Sequence, residues 1–270
     1  MEKELYEAVK FIRERTKFIP KVGIVLGSGL GKFAEKVEIE AEFKFAEIPN
    51  FPKITVDGHA GNLILGKLQG IDVAVLQGRP HYYQGYTMAQ VVFYVYVLKQ
   101  LGINKLILTN AVGSCDKSIV PNSFVAIKDH INLTGNNPLI GDHYNFMGTT
   151  FIPTNHLYSK RIREIAKTVG DELNLPIKEG IFAQFSGPSF ETPAEIKMAQ
   201  LLNCKIVGMS TAIEAIAGKH AGLEVGAISL VTNYAAGLSK QAPSHIEVQE
   251  NGKISAENFE KLILGILAKL

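Results

Sequence analysis

The sequence predicts one α/β domain over residues 1–270, built on a mixed, largely parallel β-sheet flanked by helices. Short apolar segments typical of buried strands alternate with longer segments of helical periodicity. Strands that alternate with helices favour parallel pairing. The chain contains no linker, internal repeat or low-complexity tract that would divide it. These observations together predict one large α/β domain rather than two small ones.

The first third of the chain predicts one helix, one strand and one hairpin. Glu2 to Arg15 has helical periodicity, and Val22 to Leu26 is a short apolar strand. Asn62 to Leu68 and Asp72 to Gln77 are two apolar runs separated by Gln69-Gly70, a pattern that predicts a hairpin.

The rest of the chain alternates between the two element types. Thr87 to Leu101 is predicted as one helix, which a Thr87/Gln90 capping box opens and Gly102 closes. Further strands are predicted at Lys105 to Asn110, Ser123 to Ile131, Ile181 to Phe185, Lys205 to Met209 and Val225 to Thr232. Further helices are predicted at Tyr158 to Asn174, Pro193 to Asn203, Thr211 to Gly222 and Glu257 to Leu270.

Composition and charge exclude several classes of protein. The formal net charge is only +2, and Lys and Arg are scattered, so no nucleic-acid partner is expected. The longest apolar run, Val91 to Leu98, is too short to span a bilayer, so no membrane association is expected. The chain has two cysteines, Cys115 and Cys204, and an N-terminus unlike a signal peptide, which together indicate a reduced, cytoplasmic protein. No spacing of His, Cys, Asp or Glu suggests a metal site.

The stretch Gly78-Arg79-Pro80-His81-Tyr82-Tyr83 is the most informative in the sequence. It follows a predicted buried strand, and the carboxyl ends of strands are where open α/β sheets bind ligands. In an extended segment, Arg79, His81 and Tyr83 would share one face and converge on a small anion. A surface Arg and His in a loop is the alternative for this motif taken alone.

Two glycine-containing turns follow other strands. Gly27-Ser28-Gly29-Leu30-Gly31 could close backbone N–H groups and the Ser28 hydroxyl on an anion, although it matches neither a P-loop nor the dinucleotide-binding spacing. Asn110-Ala111-Val112-Gly113-Ser114 has small residues that would allow a ligand close to the backbone. Each is an ordinary tight turn in the alternative interpretation.

Gly208-Met209-Ser210-Thr211 follows another predicted strand. Thr211 and Glu214 form a capping box, which is a structural role. Ser210 would then lie beside a helix N-terminus, where free N–H groups and the helix dipole favour an anion. Met209 is equally compatible with the core and with a ligand contact.

Two further polar residues suit a planar ring. Glu191 precedes the helix start made by Thr192 and Glu195, and the cap does not need it. Its carboxylate, beside Phe190, could accept from a ring donor, and a solvated loop glutamate is the alternative. Asn233, at the end of the last apolar run, offers a donor and an acceptor together.

The motifs, in order across nearly the whole chain, resemble those of the trimeric-type purine nucleoside phosphorylases, in the inosine–guanosine branch. The matching segments are Gly27-Ser28-Gly29-Leu30, Ile48-Pro49-Asn50-Phe51-Pro52, His59-Ala60-Gly61, Gln77 to Tyr86, Thr109-Asn110-Ala111, Asp129 to Leu133, Gly187 to Thr192, Val207 to Thr211 and Thr232-Asn233.

The resemblance implies a role for each site residue and a reaction. Inorganic phosphate, a co-substrate, would be held by Ser28, His59, Arg79, His81, Ala111 and Ser210. Ribose would contact Tyr83, Met209, His245 and the Phe151 of a neighbouring subunit in a homotrimer. The purine would contact Phe190, Glu191 and Asn233, with His81, Glu191 and Asn233 as the catalytic residues. The implied activity is the phosphorolysis of 6-oxopurine nucleosides in purine salvage, without a cofactor.

The chain departs from the family pattern at several positions. Residues 141–156 diverge, Ile213 stands where a proline usually starts the helix, and Gln84 replaces a common acidic residue. Two alternatives are the sister methylthioadenosine phosphorylases, which carry aspartate at the place of Asn233, and a noncatalytic nucleotide- or dinucleotide-binding module. A noncatalytic binding module would leave Arg79 and Glu191 without a common function.

Overall fold

A computed structural model of the protein describes residues 1–54, 60–240 and 242–270. The helices within these ranges are α1 (Glu2–Arg15), α2 (Met88–Val91), α3 (Phe93–Leu101), α4 (Lys160–Glu172), α5 (Pro193–Leu201), α6 (Ala212–His220) and α7 (His245–Lys269). The strands are β1 (Val22–Val25), β2 (Glu38–Lys44), β3 (Asn62–Leu68), β4 (Ile71–Gln77), β5 (Lys105–Ser114), β6 (Phe124–Asn132), β7 (Lys178–Gln184), β8 (Cys204–Gly208) and β9 (Glu224–Tyr234).

The strands described above form one mixed sheet, in the order β2-β3-β4-β1-β5-β8-β7-β6-β9. The central strands β4, β1, β5 and β9 run parallel to one another, whereas β2–β3, β3–β4, β5–β8 and β6–β9 are antiparallel. Strand β9 also pairs with β5, so the last five strands in the order close on themselves. The predicted α/β class, with a mixed sheet flanked by helices, is confirmed.

The hydrophobic core lies on both faces of the sheet. Alternate residues of a strand point to opposite faces, and in β5 Leu106 and Leu108 pack with α3 and α6 while Ile107 packs with α4 and α7. Because β5 is covered on both faces, its sequence is a nearly continuous apolar run, as expected for a central parallel strand.

Most predicted elements agree with the structure to within a few residues, and three differ. The predicted helix from Thr87 is interrupted at Val92, whose backbone (φ −93°, ψ 1°) leaves the helical range and separates α2 from α3. Strand β2 was not predicted, because it is an edge strand whose side chains are exposed or half-buried except Phe43. Its sequence therefore lacks the apolar alternation that marks a strand.

The largest difference concerns α7, which begins at His245 rather than at the predicted Glu257. Its first turns are polar and contain Gly252, so periodicity did not reveal them. The glycine has a packing role, since a Cβ at Gly252 would lie 2.8 Å from the Cα of Gly29. The early half of α7 thus lies directly against the glycine turn that follows β1.

Candidate active site

A cavity of about 380 Å³ opens where β1, β4, β5, β8 and β9 end. This is the edge at which parallel strands of α/β proteins present their ligand-binding loops. The cavity is lined by Gly27, Ser28, Arg79, His81, Tyr83, Asn110, Ala111, Val112, Gly113, Pro188, Phe190, Glu191, Val207, Gly208, Met209, Ser210, Thr232, Asn233, Ala235, Pro243 and Val248.

Most of the residues predicted for the site lie together in this cavity. They are Ser28, Arg79, His81, Tyr83, Ala111, Phe190, Glu191, Met209, Ser210 and Asn233. Phe151 does not line the cavity, and its side chain is 92% exposed. His59 falls outside the described residues, and His245 is the first residue of α7 but its side chain also falls outside the described part.

The turn after β1 depends on close approach between two strands. The Gly27 N–H donates to the Thr109 hydroxyl (3.1 Å), which itself donates to the carbonyl of Val25 (2.8 Å). A Cβ at Gly27 would lie 2.7 Å from the Cα of Asn110. Only glycine fits this position, and the next residue, Ser28, lines the cavity together with Ala111.

Arg79 is fully buried beneath the cavity. Its Nη1 atom donates to the hydroxyls of Ser210 (3.2 Å) and Thr211 (3.1 Å) and lies 3.4 Å from Oε1 of Glu214. Its Nη2 atom donates to the carbonyls of Val25 (3.1 Å) and Thr109. The guanidinium therefore forms a fixed positive charge, oriented by β1, β5 and the turn before α6.

The expected free helix N-terminus at Ser210 is not present, which corrects the sequence-based interpretation. The N–H groups of Ala212 and Ile213 donate to Oε1 of Gln184 (2.8 and 3.2 Å), and the Thr211 N–H donates to Glu214. The first N–H groups of α6 are thus satisfied by the protein. Any anion bound here would use the Ser210 hydroxyl and the Arg79 charge instead of these backbone groups.

His81 and Tyr83 converge on the cavity, but not through an extended backbone. Tyr82–Gln84 is a short 3₁₀ helix, and the His81 N–H donates to the Gln84 side chain at 2.7 Å. The rings of His81 and Tyr83 stack with centroids 4.9 Å apart. Burial raises the pKa of the Tyr83 phenol, which therefore stays protonated and can act as a hydrogen-bond donor.

Glu191 and Asn233 form the polar part of the other end of the cavity. The Glu191 side chain is 9% exposed, and its Oε1 atom has no hydrogen-bond partner among the described residues. Burial raises the pKa of this carboxyl group. Asn233 is 4% exposed, with Oδ1 accepting from the Thr232 hydroxyl (2.9 Å) and Nδ2 donating to the carbonyl of Tyr234 (3.0 Å). A buried carboxylate oxygen without a hydrogen-bond donor is energetically costly. This end of the cavity therefore favours a ligand that supplies such a donor.

Sequence reasoning missed several lining residues. Pro243 and Val248 come from the start of α7, whose polar sequence carried no helical signal. The side chain of Asn110 is 3% exposed, lines the cavity and makes no hydrogen bond among the described residues. Its position directly after an apolar run is the one signal for it in the sequence. Among residues 1–54, 60–240 and 242–270, no group of three or more His, Cys, Asp or Glu could hold a metal ion, and no helix could cross a membrane.

Comparisons with known proteins agree with this geometry. Residues 21–268 match the model of the phosphorylase superfamily. Purine nucleoside phosphorylase 1 of Geobacillus stearothermophilus is 44% identical over 266 residues, which cover 97% of each chain.

Solved structures show the same architecture. A schistosoma purine nucleoside phosphorylase in complex with hypoxanthine superposes with a TM-score of 0.93 at 37% identity, covering 99% of this chain and 97% of that one. The Schistosoma mansoni purine nucleoside phosphorylase in complex with adenosine also gives a TM-score of 0.93, at 38% identity and the same coverage. The chain belongs to the purine nucleoside phosphorylase family.

Proposed function

We propose that this purine nucleoside phosphorylase acts on 6-oxopurine nucleosides, inosine and guanosine and their deoxy forms. The reaction is the reversible phosphorolysis of the glycosidic bond, which yields the free base and (deoxy)ribose 1-phosphate for purine salvage. The only other reactant is inorganic phosphate, and no cofactor takes part.

The observation that carries this proposal is the pair of buried polar side chains at the base end of the cavity. Oε1 of Glu191 lacks a donor among the described residues, and N1–H of a 6-oxopurine is a donor. A hydrogen bond from that group favours the ionised carboxylate, which burial alone disfavours. Adenine has no hydrogen at N1, so binding it would leave the buried carboxylate unpaired, and such a mismatch discriminates strongly.

Asn233 supplies the complementary donor. Its Nδ2 group carries two hydrogens, and one is used by the carbonyl of Tyr234. The other is free to bond N7 of the purine, where negative charge develops as the glycosidic bond breaks. The Thr232 hydroxyl fixes the amide in the orientation that this donation needs. Phe190, which is 41% exposed, would stack on the base as it enters.

The opposite end of the cavity suits phosphate. Ser28, Arg79, His81 and Ser210 offer hydroxyl, guanidinium and imidazole groups, with the backbone N–H of Ala111 beside them. We place His59 over the bound anion by family resemblance. Tyr83 and Met209 also line the cavity, and we assign them to the ribose, with His245 at its 5′-hydroxyl.

This arrangement favours a mechanism without a covalent intermediate. The glycosidic bond breaks first and leaves a ribosyl group of oxocarbenium character and a purine that gains negative charge. Phosphate held below C1′ stabilises the cation and then attacks it, while Asn233 and Glu191 stabilise the leaving base. Positioning and electrostatic stabilisation therefore account for most of the rate.

Phe151 suggests that the active enzyme is a homotrimer. A phenylalanine that is 92% exposed leaves a large apolar surface in water. We propose that it covers the ribose in the cavity of a neighbouring subunit. Analytical ultracentrifugation should give three times the mass of the chain, and Phe151→Ala should raise the KM for inosine while leaving the KM for phosphate unchanged.

The first test of the function is incubation with inosine in the presence and absence of inorganic phosphate. Phosphate-dependent release of both hypoxanthine and ribose 1-phosphate is expected. Equal release of hypoxanthine without phosphate would identify a hydrolase and reject the anion site. Adenosine serves as the comparison substrate, because a Schistosoma relative is described in complex with it, and we expect a much lower kcat/KM for adenosine than for inosine.

Asn233→Asp tests the specificity assignment. A carboxylate in place of the amide can accept from the 6-amino group of adenine, so the ratio of kcat/KM for inosine over adenosine should fall. Asn203→Asp, at an exposed asparagine after α5, is the matched control and should leave the ratio unchanged. An unchanged ratio in Asn233→Asp would show that this residue does not select the base.

A further inference from the structure

Glu214 lies beneath the phosphate end of the cavity and is 0% exposed. It occupies the third position of α6, the glutamate position of a capping box, and a glutamate is rarely fully buried unless it is paired. Its Oε2 atom accepts from the Thr211 N–H, as the capping box requires. Its Oε1 atom has two other neighbours, Nη1 of Arg79 at 3.4 Å and the hydroxyl of Tyr94 at 3.3 Å.

The contact with Arg79 is an ion pair between two buried groups. Arg79 is also 0% exposed, and an isolated guanidinium would be costly to bury. Glu214 compensates this charge from below, on the side of α3 and α6, whereas the cavity lies above. The same Nη1 atom donates to the Ser210 and Thr211 hydroxyls. The orientation of the guanidinium and the position of Ser210 therefore depend on one another.

The backbone at Thr211 adds a second reason for the carboxylate. Its φ angle is +90°, a conformation that is strained for a β-branched residue. Such strain persists where surrounding contacts hold it and is concentrated at ligand-binding sites. The Glu214 carboxylate accepts a hydrogen bond from the Thr211 N–H, and Arg79 donates one to the Thr211 hydroxyl. The turn that presents Ser210 to the cavity is fixed by these two groups.

We propose that Glu214, itself held by Tyr94, is a positioning residue for the phosphate subsite. It fixes the Arg79 guanidinium and the Ser210–Thr211 turn in the arrangement that receives phosphate, without contacting phosphate. The inference rests on the proposed function, since that function assigns Arg79 and Ser210 to phosphate. It extends the site to Tyr94 on α3, which does not line the cavity.

A purely local cap would need only one oxygen of Glu214. Each of the three contacts described above requires an acceptor, and a carboxylate supplies two accepting oxygens. Glutamine supplies one, so its amide NH₂ would face either the Thr211 N–H or the Arg79 guanidinium. Glu214→Gln therefore keeps the size of the side chain and breaks the positioning contacts.

The mildest test is Tyr94→Phe, with Tyr96→Phe as the matched control. Both tyrosines lie on α3, both are fully buried, and each makes one hydrogen bond through its hydroxyl, Tyr96 to Nδ1 of His220 at 2.9 Å. Loss of one hydrogen bond to a charged group should raise the KM for phosphate about threefold in Tyr94→Phe. The KM for inosine should stay the same, and Tyr96→Phe should change neither value.

The stronger test is Glu214→Gln, with Glu179→Gln as the control. Glu179 lies on β7, pairs with Arg163 at 2.6 Å and does not line the cavity. Glu214→Gln should raise the KM for phosphate by about tenfold or more. Titration calorimetry with inorganic phosphate alone should show the same weakening, and Glu179→Gln should match the wild type in both measurements.

The outcomes separate this proposal from the function on which it rests. An unchanged or lower KM for phosphate in Glu214→Gln would overturn the positioning role, as would equal changes in Tyr94→Phe and Tyr96→Phe. If Glu214→Gln does not fold, the two tyrosine variants decide. A wild-type protein that binds no phosphate by calorimetry would instead reject the phosphate subsite itself, and the positioning role with it.

Discussion

The helices α5 and α6 begin with the same local pattern, a threonine followed three residues later by a glutamate, yet the two ends differ in every tertiary respect. At α5, Thr192 and Glu195 are exposed, and the Thr192 backbone is ordinary (φ −73°, ψ 158°). At α6, Thr211 and Glu214 are fully buried, and Thr211 has a φ angle of +90°. The exposed capping box only starts α5, whereas the buried capping box of α6 also forms an ion pair with Arg79. A capping motif thus acquires a second role when the fold brings a charge against it.

The largest expected effect comes from removing the positive charge of Arg79, which pairs with Glu214 in the buried capping box. Arg79→Met leaves Glu214 buried without its partner, and breaking such a pair costs about 3–5 kcal/mol of the free energy of unfolding. Urea unfolding at one fixed protein concentration measures the loss. The additional change Glu214→Gln should recover at least half of it, because both charges are then gone, while phosphorolysis stays impaired. An Arg79→Met variant as stable as the wild type would mean that the ion pair is energetically unimportant.

An intermediate effect is expected from the two capping threonines. Thr211→Val removes a hydroxyl that accepts from a buried guanidinium (3.1 Å), and we expect a loss of about 2–3 kcal/mol. Thr192→Val removes only the exposed cap, in which the hydroxyl accepts from the Glu195 N–H (3.2 Å), and should cost about 1 kcal/mol. Thermal and urea unfolding of both variants compare the two ends directly. Equal losses would contradict the different roles assigned to them.

The smallest effect is expected at the other end of β8, where a half-buried ion pair contrasts with the fully buried one. Lys205 contacts Asp116 at 2.8 Å, and this hydrogen bond lowers the pKa of Asp116 to about 2. Because the folded-state pKa lies below the unfolded value, the contribution to stability is present above about pH 4 and is lost as the pH falls toward 2. Asp116→Asn should therefore destabilise the protein by about 0.5 kcal/mol at neutral pH.

The pH dependence of this variant provides its own check. The difference in unfolding free energy between Asp116→Asn and the wild type should shrink as the pH is lowered from about 5 to 3, and added salt should reduce it at neutral pH. Lys117→Gln is a suitable control, because the neighbouring Lys117 is exposed and forms no ion pair with any residue that the structure describes. A difference that grows toward acid pH would contradict the assigned pKa direction.

Much of the fold followed from the sequence, because local patterns carry it. The α1 boundaries, the β3–β4 hairpin at Gln69-Gly70 and the capping boxes at Thr87 and Thr192 agree with the structure. Each depends on periodicity, turn residues or side-chain caps within a few positions. Edge strand β2 and the first half of α7 have no such local signal. Their conformation depends on pairing with β3 and on packing of Gly252 against Gly29.

In the site, too, some features follow from local sequence and others depend on tertiary contacts. The residue types and their placement after strands indicated Ser28, Arg79, His81, Glu191, Ser210 and Asn233, and the structure gathers all of them into one cavity. No local pattern indicated that the α6 N–H groups donate to Gln184, which lies 28 positions before Ala212. It also could not show that Glu214 faces Arg79, since the two are far apart in the chain.

By itself, the sequence determined the α/β class, the family and the identity of the polar groups available at the strand ends. Those properties depend on hydrophobic periodicity and on motifs of consecutive residues, which the chain order preserves. Only the tertiary structure decided which carboxylates are buried, which backbone donors remain free and which residues support the Arg79 guanidinium. Burial and charge pairing depend on contacts between distant segments, and in this protein the same T-x-x-E pattern is exposed at one helix and buried beneath the active site at the next.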